Sequence, residues 1–414
     1  IFCLFPFINF FYHYLAKAII IKIKKNINIE MENRINNHKK NNYLQLNLYN
    51  NRFLKSENHI KGKSTLDRED NYNIEDKGKI LFTHIEDKSI KGHINKDINI
   101  ISYAKLEYNN FKRCKFKDII FKDCIFNGNI FSKCIFENVL FENCRFYKSD
   151  NINIFSDECI FMKSIFKNCN LESSVFKECR ISDLKFIEST LENAIFSNML
   201  IVNNQISDCD CRGLKIVNSA IEKLKFEDKN ITKLDEYVFI DTIKLDKKYK
   251  KSYEEAAKVY KSIAKKLEEN NLVNYASEYY YLSKCVENKS LTGIDKTKST
   301  IFWLLCGYGE RPTYALITSL EIIFVFAVIY MFTGLSIEGV TINYVDVFSH
   351  GFLKRNVITD FMSCLYFSTV TFTTVGYGDI TPVNISIFLS GVEMFLGLTM
   401  MGIWTATLAR KITR

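Results

Sequence analysis

The chain has 414 residues, long enough for two or three domains, and 47% of them are hydrophobic. A mean hydropathy near zero excludes both a plain soluble protein and a polytopic transporter, and fits a polar body joined to a small membrane part. The net charge of +9 comes with a first hundred residues crowded with Asn, Lys and Ile, so it says little about nucleic-acid or membrane-surface partners.

Residues 1–95 read as a low-complexity, disordered extension. Positions 1–21 are apolar and aromatic, from Phe2 to Phe11 and again from Ile19 to Ile21. They fit a signal-like or membrane segment, or an extension ahead of a start at Met31; Lys17, which interrupts the run, favours the extension. Residues 31 to 95 are Asn/Lys-rich without a period, which predicts loop or disorder.

From Leu106 the sequence acquires a period of five. Of the 26 positions sampled in steps of five from 106 to 231, 23 are Leu, Ile or Phe, with Phe unbroken from Phe111 to Phe146. The exceptions are Asn151, Ser156 and Cys211. Two residues before these positions stands a smaller class: Cys114, Cys124, Ser164, Cys169, Ser174, Ala194 and Cys209. This period matches neither a helix nor an ordinary strand. Seven of the 13 cysteines recur every ten residues, Cys114 to Cys144 and Cys159 to Cys179, with no CxxC and no His at ligand spacing, so they read as buried fillers in a reducing compartment rather than zinc ligands or disulfides.

The pattern resembles the pentapeptide-repeat family over about 125 residues. The resemblance implies a right-handed quadrilateral β-helix with four pentapeptides per coil, assigned here to residues 96–235. About six coils would stack into a rod of roughly 30 Å. Residues 147–160 keep the phase but lose the pattern, which predicts a bulged-out loop. Some pentapeptide proteins mimic duplex DNA, but that needs an acidic rod, and residues 106–231 hold 18 Lys+Arg against 18 Asp+Glu. No nucleic-acid partner is expected.

Residues 245–292 form a predicted helical hairpin. Ser252 and Glu255 make a capping box, and Tyr253, Ala256, Tyr260, Ile263 and Leu267 make one apolar stripe. Glu269-Asn270-Asn271 supplies the turn, and Ala276, Tyr279, Leu282 and Val286 stripe the second helix. The Tyr279–Tyr281 cluster reads as core and interface. An interfacial helix within 296–311 follows, with Trp303 as anchor. Gly307-Tyr308-Gly309 reads as its turn into the membrane.

Residues 312–414 read as an all-α pore domain. Two apolar runs, about 313–334 and 385–408, are long enough to cross a bilayer. Between them lie a polar stretch, a short amphipathic helix at 360–372, and Thr373-Thr374-Val375-Gly376-Tyr377-Gly378-Asp379. These residues resemble the two-helix potassium channels. The resemblance implies a homotetramer whose filter, residues 374–378, lines the axis. There the Thr374 hydroxyl and the carbonyls of Thr374, Val375, Gly376 and Tyr377 replace the water shell of K⁺. It also implies support behind the filter, from Asp379 bonded to Tyr366 and from Thr373. Val370 stands where some members carry Glu. Glu393 is expected to bond toward the pore helix, and Glu321 to sit near an interface. Gly391, Gly397 and Gly402 either permit close packing or include a hinge, for which Gly397 is the candidate. Lys296, Lys298 and Arg311 before the first span, and Arg410, Lys411 and Arg414 after the second, put both termini in the cytoplasm of a multi-pass cell-membrane protein. Lys354 and Arg355 in the outer loop run against this, with Asp346 and Asp360 beside them.

The expected protein is thus multidomain and no enzyme. It has no cofactor and no zinc site, K⁺ is its permeant ion, and its partners are three identical subunits and lipid. The repeat domain would regulate or dock a cytosolic ligand or protein. A weakly selective cation channel is the alternative within the class.

Overall fold

A five-residue period can bury one large side chain per step only if the chain turns a corner at each step. The computed structural model shows how. It describes residues 20–37, 40, 71–81, 83–95, 98–147, 155–245, 250–337, 339–344 and 357–412, and the chain divides into two compact units between Ser290 and Leu291.

The first unit is a β-solenoid. Three-residue parallel strands stack coil on coil, each Phe of the ladder opposite its equivalent twenty residues on: Phe111 with Phe131, Phe116 with Phe136, Phe121 with Phe141. The rings stack at 4.5–5.1 Å, and their edges meet the rings of adjoining faces, as Phe131 meets Phe136 at 5.5 Å. Beyond Tyr147 the offset becomes twenty-five (Phe136 with Phe161, Phe141 with Phe166). Five extra residues therefore enter one coil while the faces run on. Of the predicted bulge, 147–160, residues 148–154 lie outside the described residues, while Phe155–Asp157 and Ile160 are already strand of the solenoid. One face carries eight parallel strands, from His84–Glu86 to Phe239–Ile240, which makes a stack of about 34 Å at strand spacing.

Left-handed backbone makes the corners. Arg113, Asp118, Asp123, Lys133, Asn138 and Asn143 all have φ between 53° and 55°, and Gly128 takes the same place at 62°. Asn, Asp and Gly recur there because they bear this conformation at least cost. The N–H groups of these six Arg, Asp, Lys and Asn corners are satisfied by the next coil: Arg113 N donates to Ser132 O at 2.9 Å and Asn138 N to Met162 O at 2.9 Å.

The cysteines prove more than fillers. The thiols of Cys114, Cys124, Cys134 and Cys144 each donate to a carbonyl of the preceding coil, at 3.2–3.3 Å. At this position Ser, Asn and Cys accept from the N–H one coil back. Val139 N donates to Ser164 Oγ, Leu184 N to Asn204 Oδ1, and Cys159 N to Cys179 Sγ. Where the place carries Cys, Ser or Asn, its polar tip bonds across coils; Ile119, Val139, Leu184, Met199 and Leu214 fill it as apolar side chains. Among the described residues every cysteine is free, and no group of His, Cys, Asp and Glu could hold a metal ion. Burial pushes the thiols of Cys144 and Cys159 well up, and that of Cys209 to about 11.

Two segments expected to lack structure carry it. Ile80, Ile85 and Ile90 pair with Leu106, Phe111 and Phe116, so a coil precedes the Phe ladder. It escapes a five-residue count from Leu106 because the hairpin of His93–Asn95 with Ile98–Ser102 shifts the phase by one residue. Upstream, residues 20–37 form helix α1. Its Ile27, Met31 and Ile35 bury against Val175, Ile195 and Val217 on the outside of the eight-stranded face. Ion pairs Lys24–Asp241 (2.6 Å) and Glu30–Lys215 (2.7 Å) flank that contact.

The far end of the solenoid is closed by helices α2 (Lys250–Glu269) and α3 (Val273–Ser290). α2 begins two residues ahead of Ser252, which therefore lies within its first turn rather than at the cap. Tyr260, Ile263, Leu267, Ala276 and Tyr279 belong to the same core as the Phe ladder. The last strands' polar groups find side chains instead of another coil. Tyr279 Oη accepts from Ile240 N at 2.9 Å and donates to Ile240 O at 3.1 Å, and Tyr260 Oη accepts from Ile243 N at 2.7 Å. The hairpin is a cap, which a solenoid needs to avoid an open sheet edge.

The second unit contains α4 (Gly293–Cys306), a 3-10 turn (Gly307–Gly309), α5 (Pro312–Thr333), α6 (Val357–Phe372) and α7 (Ile385–Ile412). Pro312 starts α5 where its missing N–H is harmless. Gly307, Tyr308 and Gly309 are all left-handed, so this GYG is a turn between helices. A small antiparallel sheet of Leu335–Ile337, Val340–Ile342 and Ile380–Pro382 ties the segment after α5 to the segment before α7.

Candidate ion pathway

α5 and α7 are long and apolar enough to cross a membrane, with mean hydropathies of 2.3 and 1.6 over their most apolar windows. At one end of the pair, Thr333 and Ser386 hydroxyls meet at 2.7 Å. At the other, Arg410 of α7 forms an ion pair with Glu310, just ahead of α5, at 2.9 Å. The two helices are therefore antiparallel, with their basic flanks at a common end.

α6 is a short helix lodged between them. Phe367 packs edge-on against Tyr330 of α5 at 5.0 Å, and Phe361 against Phe324 at 5.5 Å. Its last turn is closed by Thr373, whose hydroxyl donates to Thr369 O at 2.7 Å. The chain then leaves the helix. Thr374, Gly376 and Gly378 are left-handed at φ 60°, 60° and 81°, alternating with Val375 and Tyr377, and the loop returns to the sheet at Ile380. This alternation can turn successive carbonyls toward one side of an extended strand. Only two of the three left-handed residues are Gly; Thr374 bears the strain. Residues 373–379 are exposed, Val375 to 53% and Tyr377 to 71%, and a Cβ added at Gly376 or Gly378 would meet nothing within 4 Å.

Around this loop, Tyr366 Oη donates to Asp379 Oδ2 at 2.9 Å, tying the loop's end to the pore helix. Glu393 stands apart from the loop. It is buried inside the bundle, with Tyr330 Oη 2.7 Å from Oε2 and Ser368 Oγ on Oε1. Gly397, one turn further, has the packing of the close-contact reading: a Cβ there would lie 2.0 Å from Phe372 O, whereas at Gly391 and Gly402 it would meet nothing within 4 Å of this chain. Glu321 is half-buried on α5.

Sequence reasoning missed Tyr330, Ser368 and the Glu310–Arg410 pair. A signal existed for the first: a Tyr hydroxyl inside an apolar span must find an acceptor, and Glu393 is the acceptor within the other span. The ion pair had no comparable signal, since its partners are 100 residues apart.

Two long apolar helices around a re-entrant helix and a glycine-bearing loop, carried by a chain with a five-residue solenoid, define a membrane channel fused to a repeat domain. Comparison with known proteins agrees. Residues 345–414 match the family described as ion channel, and residues 111–150 the family described as pentapeptide repeats (9 copies). Neither family is one of enzymes. No curated protein matches the chain. Among solved structures it is similar to HetL, a pentapeptide repeat protein involved in heterocyst differentiation regulation in the cyanobacterium Nostoc. Identity is 12% over 37% of this chain and 62% of HetL, with a TM-score of 0.25. It is also similar to trypsin-treated QnrB1, a plasmid-mediated fluoroquinolone resistance protein. There identity is 16% over 39% of this chain and 92% of that one, with a TM-score of 0.16. The chain carries an ion-channel domain behind a pentapeptide-repeat β-helix, and with its two apolar helices that domain points to a membrane location.

Proposed function

We propose that the chain is a subunit of a homotetrameric potassium channel. Its filter is Thr374-Val375-Gly376-Tyr377-Gly378, supported by Thr373, Asp379, Tyr366 and Glu393. The observation that carries the reading is the exposed loop 373–379 with left-handed Thr374, Gly376 and Gly378. In one chain these carbonyls border open space; around a fourfold axis they would enclose K⁺ in place of its hydration shell. Tyr377 at the centre of the loop, in place of an acidic residue, favours K⁺ over non-selective passage. The ion is the permeant species and no cofactor takes part.

The common basic end of the two spans supports a cytoplasmic location for both termini, with Lys296, Lys298, Arg311, Arg410 and Lys411 on that side. The solenoid then serves as a cytosolic module that regulates the pore or docks a partner. Gly397 is proposed as a packing point first. A hinge there would have to part from Phe372.

The test is the double variant Tyr377→Asp with Asp379→Asn, reconstituted in planar bilayers beside wild type. Loss of K⁺/Na⁺ discrimination in a protein that still crosslinks as a tetramer is expected. Wild-type selectivity in the double variant would remove the filter from these residues.

A further inference from the structure

The interior of the pore unit holds a polar cluster that ion passage itself does not use. Glu393 in the third turn of α7, Tyr330 of α5 and Ser368 of α6 are all fully buried. Tyr330 Oη donates to Glu393 Oε2 at 2.7 Å, Ser368 Oγ contacts Glu393 Oε1, and the same Ser368 Oγ lies 2.8 Å from Ile323 O. Among the described residues no cation pairs with this carboxyl.

Counting protons favours one state of the cluster. A serine hydroxyl carries one proton, yet Ser368 faces two oxygens. If Glu393 were a carboxylate, that proton could serve Glu393 or Ile323 O, and the other contact would be two oxygens with nothing between them. A proton on Oε1 resolves this. Glu393 then donates to Ser368, Ser368 donates to Ile323 O, and Tyr330 donates to Oε2, so each proton has one acceptor. An unpaired buried charge is also the costlier arrangement in an apolar interior.

We propose that Glu393 works as a neutral carboxylic acid, a positioning residue that ties both spans to the pore helix and so fixes the loop that helix carries. One turn on, Gly397 adds a second hold against Phe372 O, the last residue before Thr373. The inference rests on the ion-channel reading of this unit.

The test compares wild type, E393Q, E393A and Y330F, purified at full length and reconstituted in bilayers, with infrared spectra of the same samples. Gln offers an N–H to Ser368 and a carbonyl to Tyr330, the pattern of a neutral acid and not of a carboxylate. E393Q should lose less open probability than Y330F, and E393A should lose the current. The carbonyl stretch of a protonated carboxylic acid should be present in wild type and missing in E393Q. If E393A does not assemble, E393Q and Y330F still decide. Loss of current in E393Q, or no such band in wild type, overturns the proposal. A band that vanishes in E393Q, when wild type itself never conducts, supports the neutral acid and counts against the channel reading instead.

Discussion

The solenoid and the pore use the same backbone device for opposite ends. In the solenoid a left-handed residue every fifth place folds the chain back on itself, so that Phe111 to Phe146 lose all contact with water. In the loop after α6 left-handed residues come every second place, at Thr374, Gly376 and Gly378, and leave Val375 and Tyr377 exposed. A five-residue rhythm closes a core within one chain; a two-residue rhythm leaves a short loop exposed. One region buries its repeated side chains within the chain, and the other leaves the proposed filter exposed. Substitutions in the first should therefore register as lost stability, and in the second as lost selectivity or assembly.

The largest stability effect is expected in the ladder. Phe141 stacks between Phe121 and Phe166 at 5.1 and 4.6 Å, so Phe141→Ala should cost about 3–5 kcal/mol. Hydrogen exchange should report it as faster opening of the neighbouring coils. Unchanged protection would mean the ladder is not the core.

The cap comes next. Burial alone would raise the carboxyl of Asp228, but the Lys266 ammonium 2.6 Å away, with the Thr232 N–H, holds it below the usual carboxylate range. Lys266→Ala leaves that carboxylate buried and unpaired, and should cost roughly 3 kcal/mol. Because the folded value is depressed, the pair's contribution is present above the ordinary carboxylate pKa. It is lost as pH falls through the lowered value. Denaturation of wild type and variant should therefore converge at strongly acid pH; a constant gap across pH would contradict the pairing.

Smaller effects separate packing from presentation in α7. Gly397→Ala puts a methyl into Phe372 O and should cost about 1–3 kcal/mol by overpacking, read as thermal unfolding at a lower temperature. Gly391→Ala, with open space in this chain, should be near neutral. Equal behaviour of the two would refute the contact. The smallest expected change is Cys134→Ser, which keeps a donor for Phe111 O and should stay within about 1 kcal/mol. Cys134→Val, which loses the donor and adds volume, should be worse. Both can be ranked by thermal unfolding.

Much of this was legible in the sequence, for different reasons in the two regions. The solenoid announces itself because one side chain per step must be large and apolar, and Phe repeated at 111 to 146 cannot arise from a helix or a flat strand. The corner residues were visible too, as Asn and Asp at 118, 123, 138 and 143, although as polar surface rather than as left-handed backbone. The first coil was not, because a single added residue near Gly92 breaks the count, and Ile replaces Phe. Helix α1 was hidden in an Asn/Lys-rich stretch where only Ile27, Met31 and Ile35 mark a face. In the pore, TTVGYGD between two apolar runs was legible as a string. The sheet built from 335–342 and 380–382 was not, since its strands are three residues long and pair across α6 and the loop 373–379.

The claim that the loop after α6 forms a potassium filter is tested most directly by the reversal potential of purified wild-type protein in a planar bilayer, with K⁺ on one side and Na⁺ on the other. The account predicts a reversal potential close to the K⁺ equilibrium value, from channels whose subunits crosslink as tetramers. A reversal potential near zero would contradict it, as a conduction path that does not tell the two ions apart.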